Sequence, residues 1–226
     1  MRTRLLAKLG ALPEVTTLMP IAEAERLARE APSHGESIVA IVPLVEMLLD
    51  ESRNTGSADM VADLAFLCMM PSIPQAMAVQ IAFGRSVGEK HALKIARIVS
   101  RAERRGMSVD QYVAELAATD AVPHDTIVRL FLGEARRQPD RDRVRRGIRL
   151  LRRNASLLPP PFRTDIFCVI AWLHWSQGQR AIASAYLSDV LRENPDDVLA
   201  GGLRALFSRS LPEWTTSVAA PRRRNS

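Results

Sequence analysis

The chain has 226 residues, is 47% hydrophobic and carries a formal net charge of +6, with 28 arginines, only 3 lysines and 25 acidic residues. This length and composition suit a body with a sizeable core, in one or two domains. The sequence shows no sustained alternation of apolar and polar residues and no Asn-Gly or Asp-Gly turn, which argues against a β-rich fold. Alanine, leucine and arginine dominate instead, and these residues favour helices.

The N-terminal part is predicted to be helical. Residues 3–12 and 20–31 form a predicted short pair, and residues 36–51 form an apolar helix in which Pro43 lies near the first turns. Charges interrupt the start of the chain before an apolar region of signal-peptide length forms, so we expect no export signal. We assign residues 1–55 as an N-terminal helical segment of unknown role, which could be a dimer surface or a cover for the core.

The uncharged run from Leu64 to Gly84 approaches the length of a membrane span. Pro71 and Pro74 lie in the middle of this run and fit two short helices joined by a turn, while Gln80 would be costly in lipid. We therefore predict no membrane span. The helices expected from here to the basic region are 58–70, 74–83, 86–105, 109–118 and 123–136.

The most basic part of the chain is the helix that follows Pro139. Nine arginines and two aspartates lie between residues 136 and 153. Val144, Ile148 and Leu151 recur at helical spacing and predict a buried stripe, which leaves arginines along one flank. We call this flank the arginine ridge and define it as Arg141, Arg145, Arg149, Arg152 and Arg153.

Three interpretations of the arginine ridge stay open. It could follow a phosphate backbone, with sequence-independent help from the tail Arg222–Arg224. It could pair with an acidic protein partner or within the chain, or it could simply be a solvated face. No aromatic residues are interleaved with the arginines, as a base-stacking platform would require.

Residues 164–197 have the pattern of one helical hairpin. Gly178 suits the end of the first helix and Asn194-Pro195 stops the second. Ala171 and Ala183 are small where two antiparallel backbones would approach most closely. The residues after the hairpin, 196–208, are predicted to form a helix that caps its last apolar face.

The hairpin resembles a tetratricopeptide repeat at its small and large positions, Ala171, Gly178, Ala183, Leu187, Val190 and Pro195. It departs from the family where Phe167 and His174 replace a tryptophan and a tyrosine. In repeats of this family the first helix lines a concave groove. The resemblance therefore implies a partner-binding groove formed by Asp165, Cys168, Trp172, Trp175 and Ser176, although tryptophans at helical spacing also suit a core.

A second resemblance covers more of the chain, from about residue 59 onward. A leucine-rich helix at 148–151, Ala171-Trp172 followed by Gly178, an alanine-rich helix at 181–191 and Leu211-Pro212 occur in this order. This pattern is similar to the helical C-terminal half of an uncharacterised bacterial domain family of unknown function. The resemblance implies a fold rather than an activity.

No pattern indicates an enzyme, a metal site or a cofactor. The histidines are scattered, and Cys68 and Cys168 lie in separate apolar stretches without metal-ligand spacing. We expect both thiols to be buried and reduced, in a cytoplasmic protein. The chain also contains no glycine-rich nucleotide loop and no nucleophile motif.

The sequence predicts an all-α protein of antiparallel helical hairpins, with a tetratricopeptide-like C-terminal part. Residues 56–213 form the predicted helical domain, and residues 214–226 form a predicted flexible basic tail. We expect a non-enzymatic binding or scaffolding module whose partner is a protein, which could also form a homo-oligomer. The alternative is a nucleic-acid-associated accessory protein that uses the arginine helix at 141–153.

Overall fold

The computed structural model describes residues 34–50, 58–70, 72–118 and 126–216. Within these ranges the chain forms eleven α-helices and no β-strand, which confirms the all-α class. The helices are α1 (His34–Leu49), α2 (Ala58–Cys68), α3 (Ile73–Phe83), α4 (Arg85–Arg104), α5 (Val109–Ala118), α6 (Thr126–Leu132), α7 (Arg141–Ser156), α8 (Thr164–Ser176), α9 (Arg180–Glu193), α10 (Val198–Arg209) and α11 (Glu213–Thr216). The helices predicted at 3–12 and 20–31 lie outside the described residues.

Helix α3 is the centre of the fold. Its residues are apolar apart from Gln75 and Gln80, and every one of them except Gln75 is buried. Helices α1, α2, α4, α6, α7 and α8 all pack against it. The part of the uncharged run that forms α3 is therefore a core helix, since a helix with apolar residues on nearly all sides is buried. None of the described helices is long and apolar enough to cross a membrane.

Helix α7, which contains most of the basic region, packs against α3. Asp140 caps the helix by accepting hydrogen bonds from the backbone N–H groups of Asp142 and Arg143, both at 3.0 Å. The Asp140 N–H donates to the carbonyl of Ala82 at 2.8 Å. Gly147 allows close contact, because a Cβ at this position would lie 2.5 Å from Cγ2 of Ile81. These contacts press the apolar stripe of α7 onto α3.

Helices α8 and α9 form the hairpin predicted at 164–197, and α10 follows as the predicted capping helix. Ala171 and Ala183 are fully buried, as close packing of two helices requires. Gly178 adopts a positive φ of 75° in the turn between α8 and α9. Asp197 caps α10, since its carboxylate accepts the N–H of Ala200 at 2.8 Å. The kinship to tetratricopeptide repeats stays a prediction.

The packed body extends beyond the predicted start of the tail at residue 214. Trp214 is buried, its ring packs against Phe83 and Trp175, and its Nε1–H donates to the carbonyl of Ser176 at 2.8 Å. A large aromatic side chain so close to the end of the helical domain closes the core. Residues 213–216 therefore belong to the packed body, whereas the basic residues from 217 onward lie outside the described part of the chain, and the flexible tail stays a prediction.

Candidate functional site

The structure places four of the five predicted groove residues in the core. Cys168, Trp172, Trp175 and Ser176 are buried, and only Asp165 keeps partial exposure. Trp172 Nε1–H donates to the carbonyl of Phe131 at 2.9 Å. These residues therefore do not line an open groove, and this part of the prediction is corrected.

The reason for the burial is that later and earlier helices cover this face of α8. Phe131 of α6 stacks on Trp172 with ring centroids 5.4 Å apart, and Phe207 of α10 stacks on Trp175 at 5.1 Å. Trp175 Nε1–H donates to the carbonyl of Ser210 at 3.1 Å. Because both indole N–H groups are satisfied inside the protein, the tryptophans serve the core rather than a partner.

An open groove lies on another side of α8, next to α10. We call it the α10 groove, a cavity of about 630 Å³ whose lining includes Met69, Ser72, Gln75, Asp165, Val198 and Gly202. Apart from Asp165, Ser72 and Gln75 the lining is apolar, and Asp165 is its one charged residue among those described. Val198 is 89% exposed and Met69 is 50% exposed, so the rim presents apolar side chains to solvent. Such a volume lies in the usual range of ligand pockets.

Asp165 carries a carboxylate that the protein only partly accommodates. It lies in the first turn of α8, yet burial, and then the charge of Asp197, raise the pKa of Asp165 from 3.8 to about 6. Within the described residues no side chain or N–H group donates a hydrogen bond to it and no cation pairs with it. Since a buried carboxylate is stable only when it is paired, Asp165 destabilises the fold in its charged form.

We expect Asp165→Asn to stabilise the protein in a pH-dependent manner. The folded-state pKa lies above the unfolded value, so the folded state binds more protons between 3.8 and about 6 and loses stability as pH rises through this window. At about pH 8 the variant should be more stable by about 1–2 kcal/mol, a value discounted for partial exposure, and the gain should shrink toward zero near about pH 4. Urea unfolding at the two pH values measures this, and an equal gain at both would contradict it.

Two neighbouring glycines lie inside α10, and sequence reasoning missed them. A Cβ at Gly201 or at Gly202 would have no heavy atom within 4 Å. Glycine within a helix is less stable than alanine by roughly 0.5–1 kcal/mol. Because a Cβ would fit at both positions, nothing in the packing of the described residues explains the pair. The Gly-Gly sequence in a predicted helix was the available signal. Gly202 lines the α10 groove, where a missing side chain lets another backbone come close.

Gly202→Ala is accordingly expected to raise the unfolding free energy by about 0.5–1 kcal/mol. The matched control is Gly147→Ala in α7, whose Cβ would lie 2.5 Å from Ile81 Cγ2. That substitution should destabilise the protein, because the contact is with a fully buried side chain that cannot move freely. Thermal and urea unfolding of the two variants compare the signs, and a loss of stability in Gly202→Ala would contradict the expectation.

Two further groups at the α10 groove depart from ordinary local structure. Ser72 has a positive φ of 68°, a conformation that residues other than glycine rarely adopt. The Oε1 atom of Gln75 is buried without a hydrogen-bond partner among the described residues. A buried acceptor without a donor is unfavourable, so this atom has unused capacity to accept a hydrogen bond.

Four of the five arginines of the arginine ridge lie on the surface. Arg141, Arg145, Arg149 and Arg153 are exposed, at successive spacings of four residues along α7, whereas Arg152 is half-buried. Arg152 lies towards α8, where burial lowers the pKa of His174 and the charge of Arg152 lowers it further. Arg145 pairs with Asp142 at 3.3 Å on the surface.

Another arginine of the same helix, Arg143, has a role that sequence reasoning missed. It forms a two-pronged ion pair with Glu46 of α1, with N–O distances of 2.6 and 3.0 Å. Gln80 donates to Glu46 at 2.9 Å and to the carbonyl of Val42 at 2.8 Å. Burial alone would raise the pKa of Glu46, but the hydrogen bonds from Arg143 and Gln80 hold it below its ordinary value. This network connects α1, α3 and α7.

The described residues contain no group of three or more histidine, cysteine, aspartate or glutamate side chains that could hold a metal ion. Cys68 and Cys168 are buried free thiols. Burial raises the pKa of both thiols, with a smaller effect from the charge of Asp165 on Cys68 and from Asp197 and Asp165 on Cys168. Both therefore remain protonated and have little nucleophilic character.

Comparison with known proteins identifies one family. A family model described as "Domain of unknown function (DUF4192)" matches residues 17–213. No curated protein and no solved structure matches the chain.

Proposed function

The chain belongs to the DUF4192 family, whose domain has no known function, and from its structure we propose that it is a binding module that holds a segment of a partner protein in the α10 groove. The observation that supports this proposal is the concentration of unfavourable features at one place. A charged carboxylate without a partner, a buried acceptor without a donor and a helix-interior glycine all line the same cavity. Such departures from stable local structure are typical of functional sites.

The rim of the groove supports a protein partner. Met69 and Met70, which follow α2, and Val198 and Leu199 of α10 line the groove. Methionine side chains are flexible and adapt to different apolar surfaces, which makes them frequent at binding surfaces. Exposed apolar side chains around a cavity provide the area that a protein anchor would bury.

The test selects binders and then fills the groove. A phage library of 16-residue helical peptides, with leucines fixed at some positions of one face and all other positions random, including the rest of that face, is selected on the full chain and subtracted against Gly202→Trp. Because a Cβ at Gly202 points into open space, the indole should occupy the groove without disturbing the core. Gly201→Trp is the matched control, since Gly201 has equal space but does not line the groove.

We expect selected peptides to bind the wild type and Gly201→Trp alike and to lose at least about tenfold in affinity on Gly202→Trp, which corresponds to about 1.4 kcal/mol. Circular dichroism and urea unfolding confirm that both variants fold. If no selected peptide distinguishes the two tryptophan variants, the groove is not a peptide-binding site and the proposal fails.

The second candidate function is binding of a nucleic acid by the arginine ridge, and it is favoured by the four exposed arginines on α7. Phosphate contacts should make affinity fall steeply with salt. We expect Arg145→Glu, Arg149→Glu and Arg153→Glu together to reduce the slope of log affinity against log salt by about 3.

The matched control for this second candidate reverses three exposed arginines outside the ridge, Arg180, Arg204 and Arg209, and so changes the net charge equally. Fluorescence anisotropy with single- and double-stranded DNA and RNA, at low and near-physiological salt, measures both sets. Equal effects of the two reversals would leave only general attraction by net charge. Absence of binding at low salt would exclude the second candidate.

A further inference from the structure

We infer that the occupant of the α10 groove is an amphipathic helix of a partner protein, whose apolar face carries one lysine or arginine that pairs with Asp165. The inference rests on the proposed binding function and adds the chemistry of the partner. Its basis is the charge and the backbone geometry of the groove.

The charge of the groove is complementary to a cation. Asp165 is the one charged group among its described lining residues, and nothing among them neutralises it. The carboxylate of Asp197 adds negative potential, because its only described hydrogen bond is to the backbone N–H of Ala200. In a chain with a net charge of +6 the groove is thus a local negative site in apolar surroundings. A cationic side chain placed there would gain more from the pair than at an exposed position.

The backbone geometry favours a helical occupant. The described residues contain no β-strand, so no sheet edge is available there to which an extended peptide could add its hydrogen bonds. A helix satisfies its own backbone groups and needs only an apolar surface. The glycine at position 202 removes side-chain bulk from α10 at the groove, which allows a second helix to pack closely. The apolar side chains of Leu199, Leu203 and Leu206 follow α10 at helical spacing and provide the matching surface.

The peptides selected on the wild type test this chemistry. A lysine or arginine should be enriched at one position among the leucines, relative to the starting library. A synthetic peptide of that sequence is then compared with the same peptide carrying norleucine at the basic position. On the wild type we expect the norleucine peptide to bind about tenfold more weakly.

The same two peptides are measured on Asp165→Asn and on the control Asp196→Asn, which removes an exposed carboxylate that does not line the groove. On Asp165→Asn the two peptides should bind within about twofold of each other, whereas on Asp196→Asn the tenfold difference should remain. This coupling separates a direct pair from a general effect of charge.

The inference is overturned if the selected peptides respond to Gly202→Trp but show no basic enrichment, or if the tenfold difference persists on Asp165→Asn. In either case the binding function stands and only the chemistry of the partner is wrong. If no peptide responds to Gly202→Trp, the binding function fails as well. Self-association of the wild type that Gly202→Trp abolishes would assign the groove to a second copy of the chain and would also overturn the inference.

Discussion

Replacement of Trp175 by alanine is expected to lower the unfolding free energy by about 3–5 kcal/mol, the range for removal of a buried tryptophan from a core. The ring is fully buried, stacks on Phe207 and touches Trp172 and Trp214. The variant also leaves the carbonyl of Ser210 without its donor. Urea unfolding followed by circular dichroism measures the loss.

The control for Trp175→Ala is Val198→Ala at the rim of the α10 groove. Because Val198 is 89% exposed, its truncation should change stability by no more than about 0.5 kcal/mol. A Trp175→Ala variant that kept normal stability would show that the aromatic cluster does not hold the core together.

Arg143→Met is expected to destabilise the protein by about 2–4 kcal/mol. The substitution leaves Glu46 without the cation of its ion pair. Removal of one member of a buried ion pair costs about 3–5 kcal/mol. The lower value allows for the side chains of Arg143 and Glu46 being 18% and 21% exposed. The loss should be measured by urea unfolding near neutral pH, where Glu46 is ionised.

The stabilisation by the Arg143–Glu46 pair should decrease in acid. Because the folded-state pKa of Glu46 is lowered, the pair stabilises the fold above the unfolded value of 4.5, and this contribution is lost as pH falls through the folded-state pKa. The difference in unfolding free energy between the wild type and Arg143→Met should therefore become smaller as the pH falls. A difference that stayed constant as pH fell would show that lost packing, rather than the charge pair, explains the effect.

Two variants serve as controls for the ion pair. Glu46→Leu combined with Arg143→Met removes both charges, and it should recover most of the lost stability because no buried charge is left alone. Arg145→Met breaks the pair with Asp142, whose side chains are 69% and 74% exposed, and should have little effect. If the double variant were no more stable than Arg143→Met, the buried charge would not be the cause.

The local sequence pattern was sufficient to predict the positions of these helices. The hairpin at 164–197, the glycine in its turn and the buried alanines follow from periodicity and from residue size, which act over a few neighbours. The all-α class follows from the same local rules. The break predicted in the uncharged run lies between α2 and α3, and Pro74 lies in the first turn of α3, where proline is tolerated.

The surface of each helix was decided by partners distant in the sequence. Trp172 suits a groove or a core equally well from its spacing, and it is buried because Phe131, 41 positions earlier in the chain, lies on it. Arg143 resembles its neighbours in the arginine run, and only the fold brings Glu46, 97 positions away, within hydrogen-bond distance. Periodicity shows which residues share a helix face, but it contains no information on what that face meets.

The α10 groove also depends on contacts between residues that are distant in the sequence. The sequence by itself determined the helices, their order and the small residues of the hairpin, because these depend on local conformational preference and spacing. Only the tertiary structure decided that Asp165, Gln75 and Gly202 line one cavity while the tryptophans close the core. Burial and electrostatic environment depend on the packing of whole helices, so the site became visible only after the helices were assembled.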